Sequence, residues 1–178
     1  MRLPSFRPSL FLRLVFLVAA GAAAMAAERK VLLVAGGPSH GPGAHEHSAG
    51  VLLLQKCLAG VPGLKAEVAL GGWPASPAAF EGIDALVMYC DGGVRHLALQ
   101  EDRLALLTRV LGGGAGLGLL HYAVEPTLEK GQKEFLDWIG GAYEIHWSVN
   151  PHWDARFTAL PVHPITRGVK PLTLRDEW

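Results

Sequence analysis

Apolar runs and polar breaks alternate along this chain at a spacing that predicts strands and helices in turn. Lys30 to Ala35, built on Val31-Leu32-Leu33-Val34-Ala35, reads as a buried strand, apolar on both faces as parallel strands are. A glycine-rich loop, Gly36 to His47 (GGPSHGPGAHEH), follows it. The apolar segment Val51 to Val61 is long enough for a helix, with Ser48 as its N-cap and Gly60 and Gly63 near its end. Val68-Ala69-Leu70 is a short second strand closed by Gly71-Gly72, and Trp73-Pro74 opens a loop. Ile83 to Tyr89 is a third buried strand, ending in Cys90-Asp91-Gly92-Gly93. Leu99 to Leu111 carries apolar residues on one face and Gln100, Glu101, Asp102, Arg103 and Arg109 mostly on the other, the pattern of an amphipathic helix. Gly112-Gly113-Gly114 ends it. Leu117 to Leu120 is a fourth strand, which delivers His121 at its carboxyl end. A helix around Lys130 to Ile139 stops at Gly140-Gly141. Such alternation argues for an α/β fold, a mainly parallel sheet with helices on both faces.

The pattern changes from Ala142 onward. Tyr143 to Trp147 is aromatic and polar, and Arg156 to Leu160 and Leu172 to Leu174 read as short strands. The chain reaches Asp176-Glu177-Trp178 without a closing helix, which is the expectation for a domain incomplete at its C-terminus. At the other end, Arg2, Arg7 and Arg13 precede an apolar run, Leu14 to Ala26, that closes on Ala24-Met25-Ala26. That reads as a secretory signal peptide over 1–26, ahead of one domain over 27–178. A membrane anchor ranks second, because the run is short for a span of about 20 residues. The expected location is therefore secreted or periplasmic, with no membrane association after cleavage.

Composition narrows the picture further. Lys plus Arg and Asp plus Glu are 16 each, so the formal net charge is zero and no basic nucleic-acid footprint exists. Cys57 and Cys90 are the only cysteines. An exported chain permits a disulfide, yet the two fall in a helical segment and after a strand, and read as separate, partly buried thiols.

Candidate chemistry gathers where strands end. In an open α/β sheet ligands bind at the carboxyl edge of the strands. Three of the eight histidines, His40, His45 and His47, lie in the first such loop with Glu46. Imidazole is both the commonest metal ligand and the usual acid or base near neutral pH. Two readings stay open. His45 and His47 could hold a divalent metal such as zinc, although the spacing matches no standard zinc signature. Alternatively the imidazoles cap the helix start or bind sugar hydroxyls. Glu46 is a partner behind the ligating imidazoles, a base, or an acid favoured near a helix N-terminus. Asp91 and Tyr122 are further crevice candidates, and His146 lies in a patch with Trp147, His152 and Trp153 that suits a sugar ring.

Taken in order, the SHGPGAHEH loop, Gly112 to His121, GGAYEIHW at Gly140 to Trp147, HPITRGV at His163 to Val169 and the final DEW resemble the ThuA-like (trehalose utilisation) family. The resemblance covers nearly all of 27–178. It implies a flavodoxin-like, class I glutamine-amidotransferase-like three-layer fold and a role in disaccharide or keto-sugar metabolism. Family members often belong to larger multi-domain proteins. Amidotransferases of this fold carry a cysteine at the turn after the fourth strand. Here that position holds His121, which cannot readily form the thioester such chemistry needs, so a glutaminase is not expected. The family pattern makes Glu177 the site residue of the last motif, since adjacent carboxylates in a strand point to opposite faces. The resulting expectation is an extracytoplasmic domain acting on a small carbohydrate, with His121 and Glu177 catalytic and His40, Glu46, Asp91, Tyr122 and His146 binding substrate. The alternative is a non-catalytic carbohydrate-binding module joined to further domains.

Overall fold

The structure, a computed structural model, describes residues 27–177. The expected signal peptide and Trp178 lie outside the described residues. Four parallel strands form one sheet: β1 (Arg29–Ala35), β2 (Leu64–Ala69), β3 (Ala85–Tyr89) and β4 (Gly116–Leu120). Their order is β2-β1-β3-β4. The chain thus leaves β1 to one side for β2 and returns to the other side for β3. That reversal opens a crevice between β1 and β3 at the carboxyl edge.

Three helices pack on the sheet: α1 (His47–Leu58), α2 (Arg103–Gly112) and α3 (Gln132–Ile139). Side chains alternate between the two faces of each strand, so β1 serves two cores. Leu33 and Ala35 pack with Val51 of α1 on one face. Leu32 and Val34 pack on the other, with Leu86, Met88, Phe80 and Leu107 of α2. Full burial of each such Leu or Val stabilises the fold by about 1.5–3 kcal/mol. The flavodoxin-like α/β reading of the sequence is thus what the structure shows, with helices on both faces of a parallel sheet.

Several boundaries differ from the sequence reading. Helix α1 begins at His47, with Glu46 rather than Ser48 in the capping position and no side-chain cap. Strand β2 starts earlier, at Leu64. The segment before α2 is two 3-10 turns, Gly93–Arg95 and Leu97–Leu99, and α2 proper starts at Arg103. Gly140 ends α3 in the left-handed conformation (φ 74°), as its sequence position implies. Beyond the sheet, β5 (His152–Phe157) and β6 (Leu172–Glu177) form a separate antiparallel hairpin. Strand β5 therefore begins before the expected Arg156 to Leu160 strand and overlaps it at Arg156 and Phe157. No helix among the described residues is long and apolar enough to cross a membrane.

Gly36, the first residue after β1, sits against the neighbouring strand end. A Cβ there would stand 2.8 Å from Cys90 Cβ and 3.1 Å from His47 Nδ1. Only glycine lets the β1 loop leave the sheet this close to β3.

Candidate functional site

Three strand ends converge at the carboxyl edge. The loop after β1 brings His40, His45 and His47; the loop after β3 brings Asp91; the turn after β4 brings His121 and Tyr122. Strand β3 lies between β1 and β4, so Asp91 comes up between the two groups of imidazoles. The hairpin adds a fourth component, Glu177 at the end of β6.

His45 is the centre of the cluster. Its ring lies 3.8 Å from that of His40, 4.6 Å from His121, 5.6 Å from Tyr122 and 5.8 Å from His47, centroid to centroid. Its Nδ1 is 3.0 Å from Asp91 Oδ1, and its Nε2 is 3.1 Å from His121 Nε2. Across the crevice, His121 stands opposite His45. The reason is backbone geometry. His45 and His121 both hold left-handed backbones, φ 50° and 56°, which turn their rings out of the regular strand and helix directions. A non-glycine residue in that region carries strain, and such strain collects at ligand sites.

Asp91 connects the loops. Burial pushes its carboxyl up, but hydrogen bonds from Ser39 and His45 and the nearby His47 imidazole outweigh this and hold it below the usual carboxylate range. His47 is buried. Its Nδ1–H donates to the Gly37 carbonyl at 3.1 Å, which fixes the loop on the start of α1. Its Nε2 has no hydrogen-bond partner among the described residues and faces Asp91 Oδ1 at 3.7 Å. The His121 imidazole is held below its ordinary value, first by burial and then by His45. It is therefore a neutral ring near pH 7.

Glu177 is fixed by a residue that sequence reasoning missed. Asn150 Nδ2 donates to Glu177 Oε1 at 2.6 Å and also to the Tyr122 hydroxyl. A lone Asn in an irregular stretch carries no sequence signal for this role. Asp176 stays exposed, its Oδ1 accepting the Glu177 N–H at 2.9 Å. Glu46 is exposed and accepts the Gly43 N–H at 2.8 Å, bracing the loop from outside. It still lines the adjoining pocket of about 270 Å³, together with His40, His45 and His47. His146 is not brought in: it sits exposed on a turn at φ 76°, with no contact to the cluster among the described residues. A larger concavity of about 550 Å³ spans Leu160 to Pro171 and shares no residue with the cluster.

The cysteines play no part in the cluster. Cys57 is exposed, not partly buried, and Cys90 is buried, so the two thiols are separate. Burial pushes the Cys90 thiol up to about 11, which leaves little thiolate at neutral pH. Its neighbour His96, also missed in the sequence, is fully buried. His96 Nε2–H donates to the Ala123 carbonyl at 2.9 Å, and Nδ1 accepts the Ala98 N–H at 3.0 Å. With both nitrogens used, His96 has no lone pair left to activate the thiol.

No family model matches this chain, and no curated protein matches it. Among solved structures, the chain is similar to a crystal structure of a protein described as ThuA-like from Bacteroides uniformis. The TM-score is 0.62 at 15% sequence identity, over 87% of this chain and 62% of that one. This chain thus spans less than two thirds of that protein's length. At such identity the likeness establishes the fold, and it agrees with the fold implied by the sequence motifs.

Proposed function

We propose that this domain acts on a small carbohydrate, a sugar or keto-sugar of the disaccharide-utilisation type, by proton transfer at the histidine cluster. The observation that carries this reading is the chain Asp91–His45–His121, linked at 3.0 and 3.1 Å, with His45 lining the pocket beside it. A carboxylate that orients one imidazole against a second is an arrangement for holding and moving a proton. Glu177, Asn150 and Tyr122 add acceptors and donors on the far side, where sugar hydroxyls would find partners. Tyr89 and Tyr122 rings flank the imidazoles and supply apolar faces for a sugar ring. An amidotransferase-type reaction has no support, because His121 occupies the turn after β4 and the Cys90 thiol is buried and protonated.

The same reading places the domain outside the cytoplasm, on the strength of the N-terminal pattern, and joins it to further domains. The test is turnover of candidate disaccharides and their keto forms by the exported protein. His121→Ala should lower turnover by about 100-fold or more, in the range that loss of a positioned acid–base group produces. Binding of the sugar without turnover in the unaltered protein would leave a non-catalytic carbohydrate-binding module as the function. Turnover that survives His121→Ala would move the chemistry elsewhere.

A further inference from the structure

The histidine cluster contains more nitrogen and carboxylate donors than a proton relay needs, and their orientation is informative. Asp91 is an ionised acceptor, so His45 Nδ1, 3.0 Å away, carries the ring proton. The His45 Nε2 lone pair is therefore bare. It points at His121 Nε2, 3.1 Å away. Two imidazole nitrogens bound to one zinc at about 2.0–2.1 Å stand about 3.3 Å apart in a tetrahedral arrangement and about 2.9 Å apart in an octahedral one. The observed separation lies between these limits. The third donor is Glu177, with one atom from each of His45, His121 and Glu177 lying within 4.8 Å of the others. Asn150 holds Glu177 Oε1, and a carboxylate offers a second oxygen to a cation.

We propose that His45, His121 and Glu177 are the ligands of a divalent-cation site of the zinc type, with Asp91 and Asn150 orienting two of them. Two imidazoles and one carboxylate with an open position match the chemistry of zinc held by nitrogen and oxygen. Carboxylate-to-histidine hydrogen bonds behind a ligand are what such sites use to set the tautomer. The left-handed backbones of His45 and His121 bring their rings together. This ligand set leaves out His47, which the sequence reading offers beside His45 as a candidate ligand. His47 spends its Nδ1–H on Gly37 and turns its Nε2 towards Asp91.

A competing set, His40, His45 and Asp91, also has its donor atoms within 4.8 Å of one another. It would take His45 through Nδ1 and lose the Asp91 hydrogen bond. It also draws on His40, whose Nδ1 lies 2.9 Å from Ser39 Oγ. The first set keeps the His45–Asp91 and His40–Ser39 hydrogen bonds and puts the cation in place of the direct His45–His121 contact, and this decides between them. The inference deepens the carbohydrate reading and rests on it for the cation's purpose, which would be to hold sugar oxygens or a water at the open position.

The test is zinc binding by the full chain after chelator treatment, followed by titration calorimetry and elemental analysis with Zn²⁺ alone. One Zn²⁺ per chain is expected. His121→Ala and Glu177→Gln should each weaken binding by about 100-fold or more, and Asp91→Asn by about 10- to 100-fold. His40→Ala should change it by less than about threefold, as expected for a group outside the ligand set. Circular dichroism reports whether each variant folds. Should a variant unfold, Co²⁺ added to the unaltered protein gives the answer directly, since visible bands of nitrogen- and oxygen-bound Co²⁺ are expected. Failure of the unaltered protein to bind Zn²⁺ or show those bands overturns the proposal. So does loss of binding in His40→Ala with retention in His121→Ala. Full sugar turnover by metal-free protein removes the cation and spares the carbohydrate reading. Zinc binding without turnover does the reverse.

Discussion

His121 shows how a single residue can work against the fold that holds it. Its φ of 56° costs an L-residue roughly 1–2 kcal/mol relative to the right-handed region. Little core contact repays this; the residue is exposed and its partners are His45 and the Tyr122 and Tyr89 rings. Substitution by alanine should keep the strain, whereas glycine should relieve it. Glycine costs roughly 0.5–1 kcal/mol in chain entropy, so the net gain over alanine is about 0.5–1 kcal/mol. His121→Gly should therefore be more stable than His121→Ala by denaturant unfolding, the reverse of the usual order. An alanine variant at least as stable as the glycine variant would show that the turn after β4 is not left-handed in solution. The residue type at this turn was readable from the sequence. Its backbone conformation was not, because nothing in LLHYAV distinguishes an ordinary strand end from a strained one.

At the scale of elements, periodicity located the strands and helices but not the turns between them. Buried strands such as β1 and β3 announce themselves as apolar runs, and glycines mark the ends of α2 and α3. The segment Gly93 to Leu99 has no period, so its two 3-10 turns and the buried His96 between them went unread. That histidine ties both turns to the one that follows β4, through the Ala123 carbonyl. Burial holds it below its ordinary pKa of 6.5, with the Ala123 carbonyl opposing in part. Cys90 Sγ, 3.9 Å away, and the Phe135 ring are the other groups that face it. The sign follows from proton counting. Between the folded pKa and 6.5 the unfolded chain binds more protons than the folded one, so stability rises with pH there. The full contribution is present above about pH 6.5 and is lost as pH falls through the lowered folded value. The thermal midpoint should thus drop between about pH 7 and pH 5. His96→Gln keeps a donor for Ala123 and an acceptor for Ala98 but binds no proton, so it should flatten that drop. His121, also lowered, leaves a residual slope of the same sign. An unchanged slope in folded His96→Gln would assign the acid sensitivity to other groups.

Across the whole molecule, the site draws on parts of unequal firmness. The four-stranded sheet was legible because its strands are apolar on both faces. The hairpin was legible only as two vague strands, because its sequence, HWDARF against LTLRDE, has no buried stripe to read. The structure gives the physical reason: Ala155 is the one buried residue of β5, and β6 has none among its described side chains. By contrast, Leu33, Val34 and Ala35 of β1 and Leu86 and Met88 of β3 are fully buried. The hairpin nonetheless carries Glu177, whose tie to Tyr122 runs through Asn150. Elements with few buried apolar contacts open locally at a free energy well below that of global unfolding. Amide exchange in β1 and β3 should therefore be slower than in β5 and β6 by on the order of 100-fold, equal to about 3 kcal/mol in opening free energy. Hydrogen exchange followed by mass spectrometry of peptides from the two regions reads this directly. Asn150→Ala, which frees Glu177, should speed exchange further in β6 and leave β1 and β3 unaltered. Equal protection of the hairpin and the sheet would mean that the two open as one cooperative unit, and that Glu177 is held at the histidines as firmly as His45 and His121 are.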